Sequence, residues 1–152
     1  MARLILLAPV PIEHLEAGQG ICHTKSKVAF GSRAWKVFRQ IDAARNGEPI
    51  TSYIYASGSQ VSQEPEVSWE GRFIRWIEAV DGTHPDGMTF RPDSTNQYPL
   101  DNKGHWIGFW ELDELRCLTP AERIPISHFK GYKSNKNYKS NFVPKGPIIV
   151  TH

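Results

Sequence analysis

Cysteine is scarce. Cys22 and Cys117 are the only two in 152 residues, and a pair so far apart forms no disulfide framework and no closely spaced metal or redox motif. Both are expected to be reduced thiols in a cytoplasmic setting. No run of about 18 apolar residues occurs, so a helical membrane span is excluded and no membrane partner is expected. Residues 1–8 join a basic residue to a short apolar run, but Pro9, Pro11, Glu13 and His14 follow at once, so residues 3–8 are read as a buried first strand rather than a leader. The chain also lacks a Gly-x-x-x-x-Gly-Lys phosphate loop, a dinucleotide fingerprint and a Gly-x-Ser-x-Gly elbow. His84, Asp86, Asp93, Asp101 and His105 stand at no recognisable ligand spacing. Neither a cofactor nor a metal is therefore expected, and no catalytic residue is assigned.

Turn-formers and aromatics are plentiful. Glycine and proline number 12 and 11, and 5 Trp, 5 Tyr and 7 Phe supply core material, which favours short strands joined by turns over a helical bundle. The length suits one α+β domain over residues 1–152. Net charge is only +2, but its distribution is uneven: residues 1–59 carry +3, residues 60–116 carry −6 and residues 117–152 carry +5. Two basic ends flank an acidic middle.

Local patterns define the elements. Residues 9–20, with two prolines and two glycines, are expected to be a surface loop. Ser32 is placed as the N-cap of a helix carrying Ala34, Trp35, Val37, Phe38, Ile41 and Arg45 at helical spacings, with Asn46 and Gly47 as its stop. Residues 49–57 alternate as a strand, followed by a polar loop from Gly58 to Pro65. Residues 67–80 form a longer strand bent at Gly71, as a small barrel needs. Residues 81–104, broken by five glycine or proline pairs, are a long excursion with a short strand near residues 88–91, and long ordered loops tend to be functional. Residues 105–118 should cross the sheet centre, turning at Asp113 and Glu114. A capped turn follows at Thr119 and Pro120, and residues 147–150 close as the last strand.

Two clusters have the chemistry of a polyanion surface. Residues 130–141 hold Lys130, Lys133, Lys136 and Lys139 among tyrosines, amides and hydroxyls. Lysines attract phosphate at long range, amides and hydroxyls bond it at short range, and tyrosine rings stack on unpaired bases; a solvated loop accounts for the same composition. Lys25, Lys27, Arg33 and Lys36 lead into the Trp35 helix, whose N-terminus attracts phosphate, or else form a solvated helix face. Core packing accounts for most of Trp69, Trp76, Trp106 and Trp110, leaving one or two tryptophans to wall a pocket for a flat ring.

The order of these features resembles the PUA-like superfamily, in particular its EVE and ASCH branches. Ala34 to Phe38 precede a glycine turn and the strand from Tyr53 to Ser57, which is similar to the EVE strand ending in an aromatic, a small residue and serine. Residues 71–80, 105–112 and 124–129 resemble the strands and the proline-containing segment that follow. The resemblance implies a small, strongly curved, mostly antiparallel β-barrel with flanking short helices. It also implies a nucleic-acid-binding module, its partner DNA or RNA, that reads a modified or flipped base with Trp35, Tyr55 and Ser57. The ASCH branch implies an enzyme alternative, a hydrolase of a modified nucleoside or RNA using Lys25 or Lys27 with Thr24 and a carboxylate. A protein-interaction module built on the acidic excursion is a third reading.

Overall fold

A computed structural model describes residues 3–58 and 64–152. The polar loop expected from Gly58 to Pro65 lies mostly outside the described residues, as do positions 1 and 2. The architecture is mixed α and β, with one seven-stranded sheet, a two-stranded ribbon and two short helices. The strands are β1 (Ile5–Pro11), β2 (Val28–Ser32), β3 (Ile50–Ser57), β4 (Glu66–Val67), β5 (Trp69–Glu78), β6 (Gly108–Cys117), β7 (Ile124–Pro125), β8 (Lys130–Gly131) and β9 (Ile148–Thr151). The helices are α1 (Ile12–Lys25) and α2 (Trp35–Ala44).

Sheet order is β2-β6-β5-β3-β1-β9-β8, and among the described residues only β1 and β3 pair in parallel. The two end strands do not pair, so the sheet is open and the expected closed barrel is corrected. The central strand is β3; residues 105–118 instead supply β6, one in from the edge. Two register shifts interrupt the pairing of β5 with β6. At the first, the extra residue is on β6 between Asp113 and Arg116, opposite Gly71, and Glu114 there adopts φ 51°; at the second, it is Ile74 of β5, between Phe73 and Arg75. No strand forms at residues 88–91, whose backbone turns. The edge strand β2 is nevertheless covered there, because the Ala29 N–H donates to Phe90 O at 2.8 Å.

The unbroken apolar run of β1 is explained by burial on both faces. Leu6, Ala8 and Val10 join one hydrophobic cluster with Phe38, Trp76 and Trp110, whereas Ile5 and Leu7 join a second with Tyr55, Phe129 and Val150. Phe38 anchors the first, its ring stacked on both Trp76 and Trp110 at centroid distances of 5.0 and 5.3 Å.

Helix α1 occupies the span expected to be loop. Its buried stripe is only Leu15, Gly18 and Cys22, too small and narrow to produce an amphipathic signal. Gly18 suits that packing: a Cβ there would come within 3.1 Å of the Phe30 ring, a tight contact that the ring would have to relieve by a small shift. Helix α2 runs as expected, but its N-cap is Ala34; the Ser32 hydroxyl accepts from the Ala34 N–H at 3.0 Å, just ahead of the first turn. The turn at Pro120–Glu122 carries a complete capping box from Thr119 and Glu122. Among the described residues no helix is long and apolar enough to cross a membrane.

Candidate functional site

A cleft of about 460 Å3 opens where the end of β1, the start of α1, the end of β2 and the 81–104 excursion meet. Its aromatic walls are Phe30, Phe38, Tyr98, Trp106 and Trp110. Trp106 can lie where it does only because position 31 is glycine. A Cβ on Gly31 would stand 2.2 Å from the indole, inside the ring's van der Waals surface.

The polar side is built around Asp101. Its Oδ1 accepts from Trp106 Nε1 at 2.6 Å and from Arg91 Nη2 at 3.0 Å. Arg91 is 2% exposed and is spent internally, donating also to Ala29 O and to Asn102 Oδ1, both at 2.8 Å. Burial lowers its pKa to about 10, against the opposing pull of Asp101, so it stays cationic at neutral pH.

His14 stands beside this pair, its Nδ1 2.6 Å from Ser94 Oγ and its Nε2 3.8 Å from Asp101 Oδ2. Burial lowers the His14 pKa, with Asp101 and Glu13 opposing that shift, so the ring is neutral at pH 7. A neutral imidazole facing a carboxylate carries its proton on the facing nitrogen, here Nε2, leaving Nδ1 to accept from the Ser94 hydroxyl. Glu13, one residue earlier on α1, accepts from the Tyr98 hydroxyl. That contact and the Ser94 bond tie the excursion to α1 across the cleft mouth.

Serine, histidine and aspartate here have the connectivity of a nucleophilic relay, but Ser94 is not among the residues lining the cleft. The hydrolase set is dispersed. Thr24 donates to Gly20 O of its own helix, Lys25 projects into solvent and Lys27 is committed to Glu111 at 3.0 Å.

Glu111 is a second polar centre, fully buried on β6, receiving bonds from Lys27, from Arg75 and from His84 Nε2. Burial alone would raise its pKa, but these three donors outweigh it and hold the carboxyl down at about 2.

The base pocket expected from Trp35, Tyr55 and Ser57 is not assembled. Tyr55 packs in the second cluster, on the opposite face of the sheet from the first cluster, against which Trp35 is half-buried. Trp35 is flanked by Arg39 and Lys36, 4.7 and 5.5 Å from its ring centroid, and Ser57 is half-buried at the end of β3. Arg33 is exposed and donates to His105 O at 3.1 Å.

In the second basic cluster, Lys130 is half-buried in β8, and Lys133, Lys136 and Lys139 are exposed. Among the described residues none of these four, nor Lys145 in the cleft lining, makes an ion pair, whereas in the acidic middle Arg72, Arg75, Arg91 and Arg116 are paired with Asp113, Glu111, Asp101 and Glu70. A shallow groove holding Tyr132 and Lys133 meets the cleft at Pro147, which lines both. Lys133 of the C-terminal set thus lies in the groove that meets the cleft, and Arg33 of the N-terminal set stands between the cleft residues Ser32 and Trp106, bonded to the His105 carbonyl.

His14, Glu13, Arg91, Asp101, Trp106 and Lys145 were not singled out as site residues from the sequence. Two signals pointed towards the site: the length of the 81–104 excursion, which supplies Arg91, Asp101 and Tyr98, and the abundance of tryptophans, of which Trp106 and Trp110 line the cleft. No protein-family model matches the chain, and no curated protein matches it in sequence.

Proposed function

We propose that the chain is a nucleic-acid-binding module, PUA-like in the order of its elements, that receives one unstacked base in the cleft. The observation that carries this reading is the cleft itself: a base-sized, aromatic-walled cavity with hydrogen-bonding groups along one side. Beside it lie lysines without acidic partners, suited to the phosphates on either side of such a base. A modified base fits the same description, since an added methyl group would meet ring faces rather than polar atoms.

The test is a titration of a fluorescent single-stranded oligonucleotide across a range of salt concentrations. Affinity is expected to fall linearly on logarithmic axes as salt rises, and replacing Lys133, Lys136 and Lys139 together by alanine should reduce that slope while weakening all sequences about equally. Salt-independent binding, or none at low salt, would refute the reading. Acylated nucleosides and RNA incubated with the protein are expected to stay intact.

A further inference from the structure

We infer that the cleft prefers a base presenting two separate N–H donor groups on one edge, the ring N–H and 2-amino group of guanine and its relatives, over bases with a single donor group. This rests on the base-binding reading above and deepens it.

The inference comes from counting what the cleft leaves unfilled. Asp101 Oδ1 already accepts two hydrogen bonds, but Oδ2 accepts none among the described residues. Its nearest polar neighbour, His14 Nε2, is 3.8 Å away, beyond hydrogen-bond reach. The Asp101 side chain is only 12% exposed, so bulk water does not fully serve that oxygen. Glu13, half-exposed beside it, adds a second acceptor that water can reach: Oε1 accepts from Tyr98, and Oε2 has no bond to protein among the described residues. The two carboxylates belong to one site, since both act on the electrostatics of His14 and of Tyr98.

A carboxylate oxygen only accepts, so two unfilled ones call for two donors, and hydrogen bonds to a charged acceptor are the stronger kind. On the same side His14 offers one donor, Nε2–H. Two acceptors beside one donor complement an edge of two donor groups and one acceptor. Guanine has that edge in N1–H, the 2-amino group and O6. Adenine and cytosine each offer one amino group, and uracil one ring N–H. The Arg91 guanidinium behind Asp101 balances its charge, which lets a neutral base approach without a counter-ion. Lys145, exposed at the mouth, is left for phosphate.

Isothermal titration calorimetry with guanosine, inosine, adenosine, cytidine and uridine decides the matter. Inosine keeps the ring N–H and O6 of guanosine and lacks only the 2-amino group. Guanosine is expected to bind about tenfold or more tighter than inosine and than the other three. Glu13→Ala, which also releases the Tyr98 hydroxyl, should weaken guanosine binding more than inosine binding and so remove most of the guanosine advantage. Equal affinity for all five nucleosides, or a Glu13→Ala effect that is the same for guanosine and inosine, would overturn the preference while leaving the base cleft standing. Binding of an oligonucleotide with no measurable binding of any nucleoside would overturn the base cleft as well, and the preference with it.

Discussion

Nε2 of His84 donates to the Glu111 carboxylate at 2.8 Å, and both side chains are fully withdrawn from solvent. The Asp86 N–H donates to His84 Nδ1 at 3.0 Å, which places the ring proton on Nε2 and leaves Glu111 as its acceptor. The bond fastens the start of the 81–104 excursion to β6. Lys27 and Arg75 reach the same carboxylate from the end of α1 and from β5, so one acid joins four segments of the chain. The excursion that builds the cleft is thereby held as part of the fold.

Acid should release this joint. The folded pKa of Glu111, about 2, lies below its ordinary value of 4.5, so its contribution is complete above about pH 4.5 and is lost as pH falls towards 2. That contribution is about 3 kcal/mol. Urea unfolding at a series of pH values is expected to show Glu111→Gln less stable than the parent at pH 6, with the difference shrinking towards pH 2. A difference that stays constant with pH would show that folding leaves the pKa of this carboxylate unshifted.

The cleft wall can be moved without touching a polar group. Gly31→Ala puts a methyl group where the Trp106 indole lies and should displace the ring and its bond to Asp101. Stacking on an aromatic is worth about 1–3 kcal/mol per base, so Gly31→Ala and Trp106→Ala are each expected to lower nucleoside affinity roughly tenfold or more. Trp106→Phe keeps a stacking face and should lose less. Calorimetric titration of the three variants provides the comparison, and unchanged affinity in Gly31→Ala would remove Trp106 from the wall.

Two glycines of the excursion should respond differently to the same change. Gly82 has φ 77°, and its added Cβ would stand 2.0 Å from Gly104 Cα, a backbone atom that has nowhere to go. Gly87 has φ 64° but open space around it. Gly87→Ala is expected to cost about 1–2 kcal/mol from the left-handed conformation alone. Gly82→Ala should cost that and a clash in addition, so its melting temperature should fall several degrees further. Equal melting temperatures would mean that the two ends of the excursion do not meet as described.

Trp35→Ala separates the helix from the site. The indole is half-buried against the first cluster and lies outside the cleft. The variant is expected to melt at a lower temperature and, while folded, to bind nucleosides with parental affinity. Weakened binding by a fully folded Trp35→Ala protein would return this residue to the ligand site.

Much of the fold was legible wherever the signal is local. The spacing from Trp35 to Ile41 and the stop at Asn46 define α2, alternation defines β3, and Thr119 with Glu122 states its capping box outright. The bend expected at Gly71 was legible only in part: the glycine pairs in register with Ser52, and the extra residues lie opposite it on β6 and at Ile74 of β5. Helix α1 was hidden, since its buried stripe is made of Leu15, Gly18 and Cys22 and the packing that holds it comes from β2, β6 and the 93–97 turn.

What the sequence by itself determined is therefore the strands β1, β3, β5, β6 and β9, the helix α2 and the uneven charge, while β2 and the short β4, β7 and β8 were not read and the strand expected at residues 88–91 does not form. Pairing, and with it the open sheet with β3 at its centre, depended on contacts between segments far apart in the chain. The site is the clearest case. Glu13 and His14 lie more than eighty residues from Asp101 and Trp106, and no periodicity links them. They become neighbours only because the excursion is pinned by Glu111 and Arg91, both buried charges that no local pattern distinguishes from the exposed ones around them. Burial and hydrogen bonding give a polar side chain its chemistry, and both are properties of the folded chain.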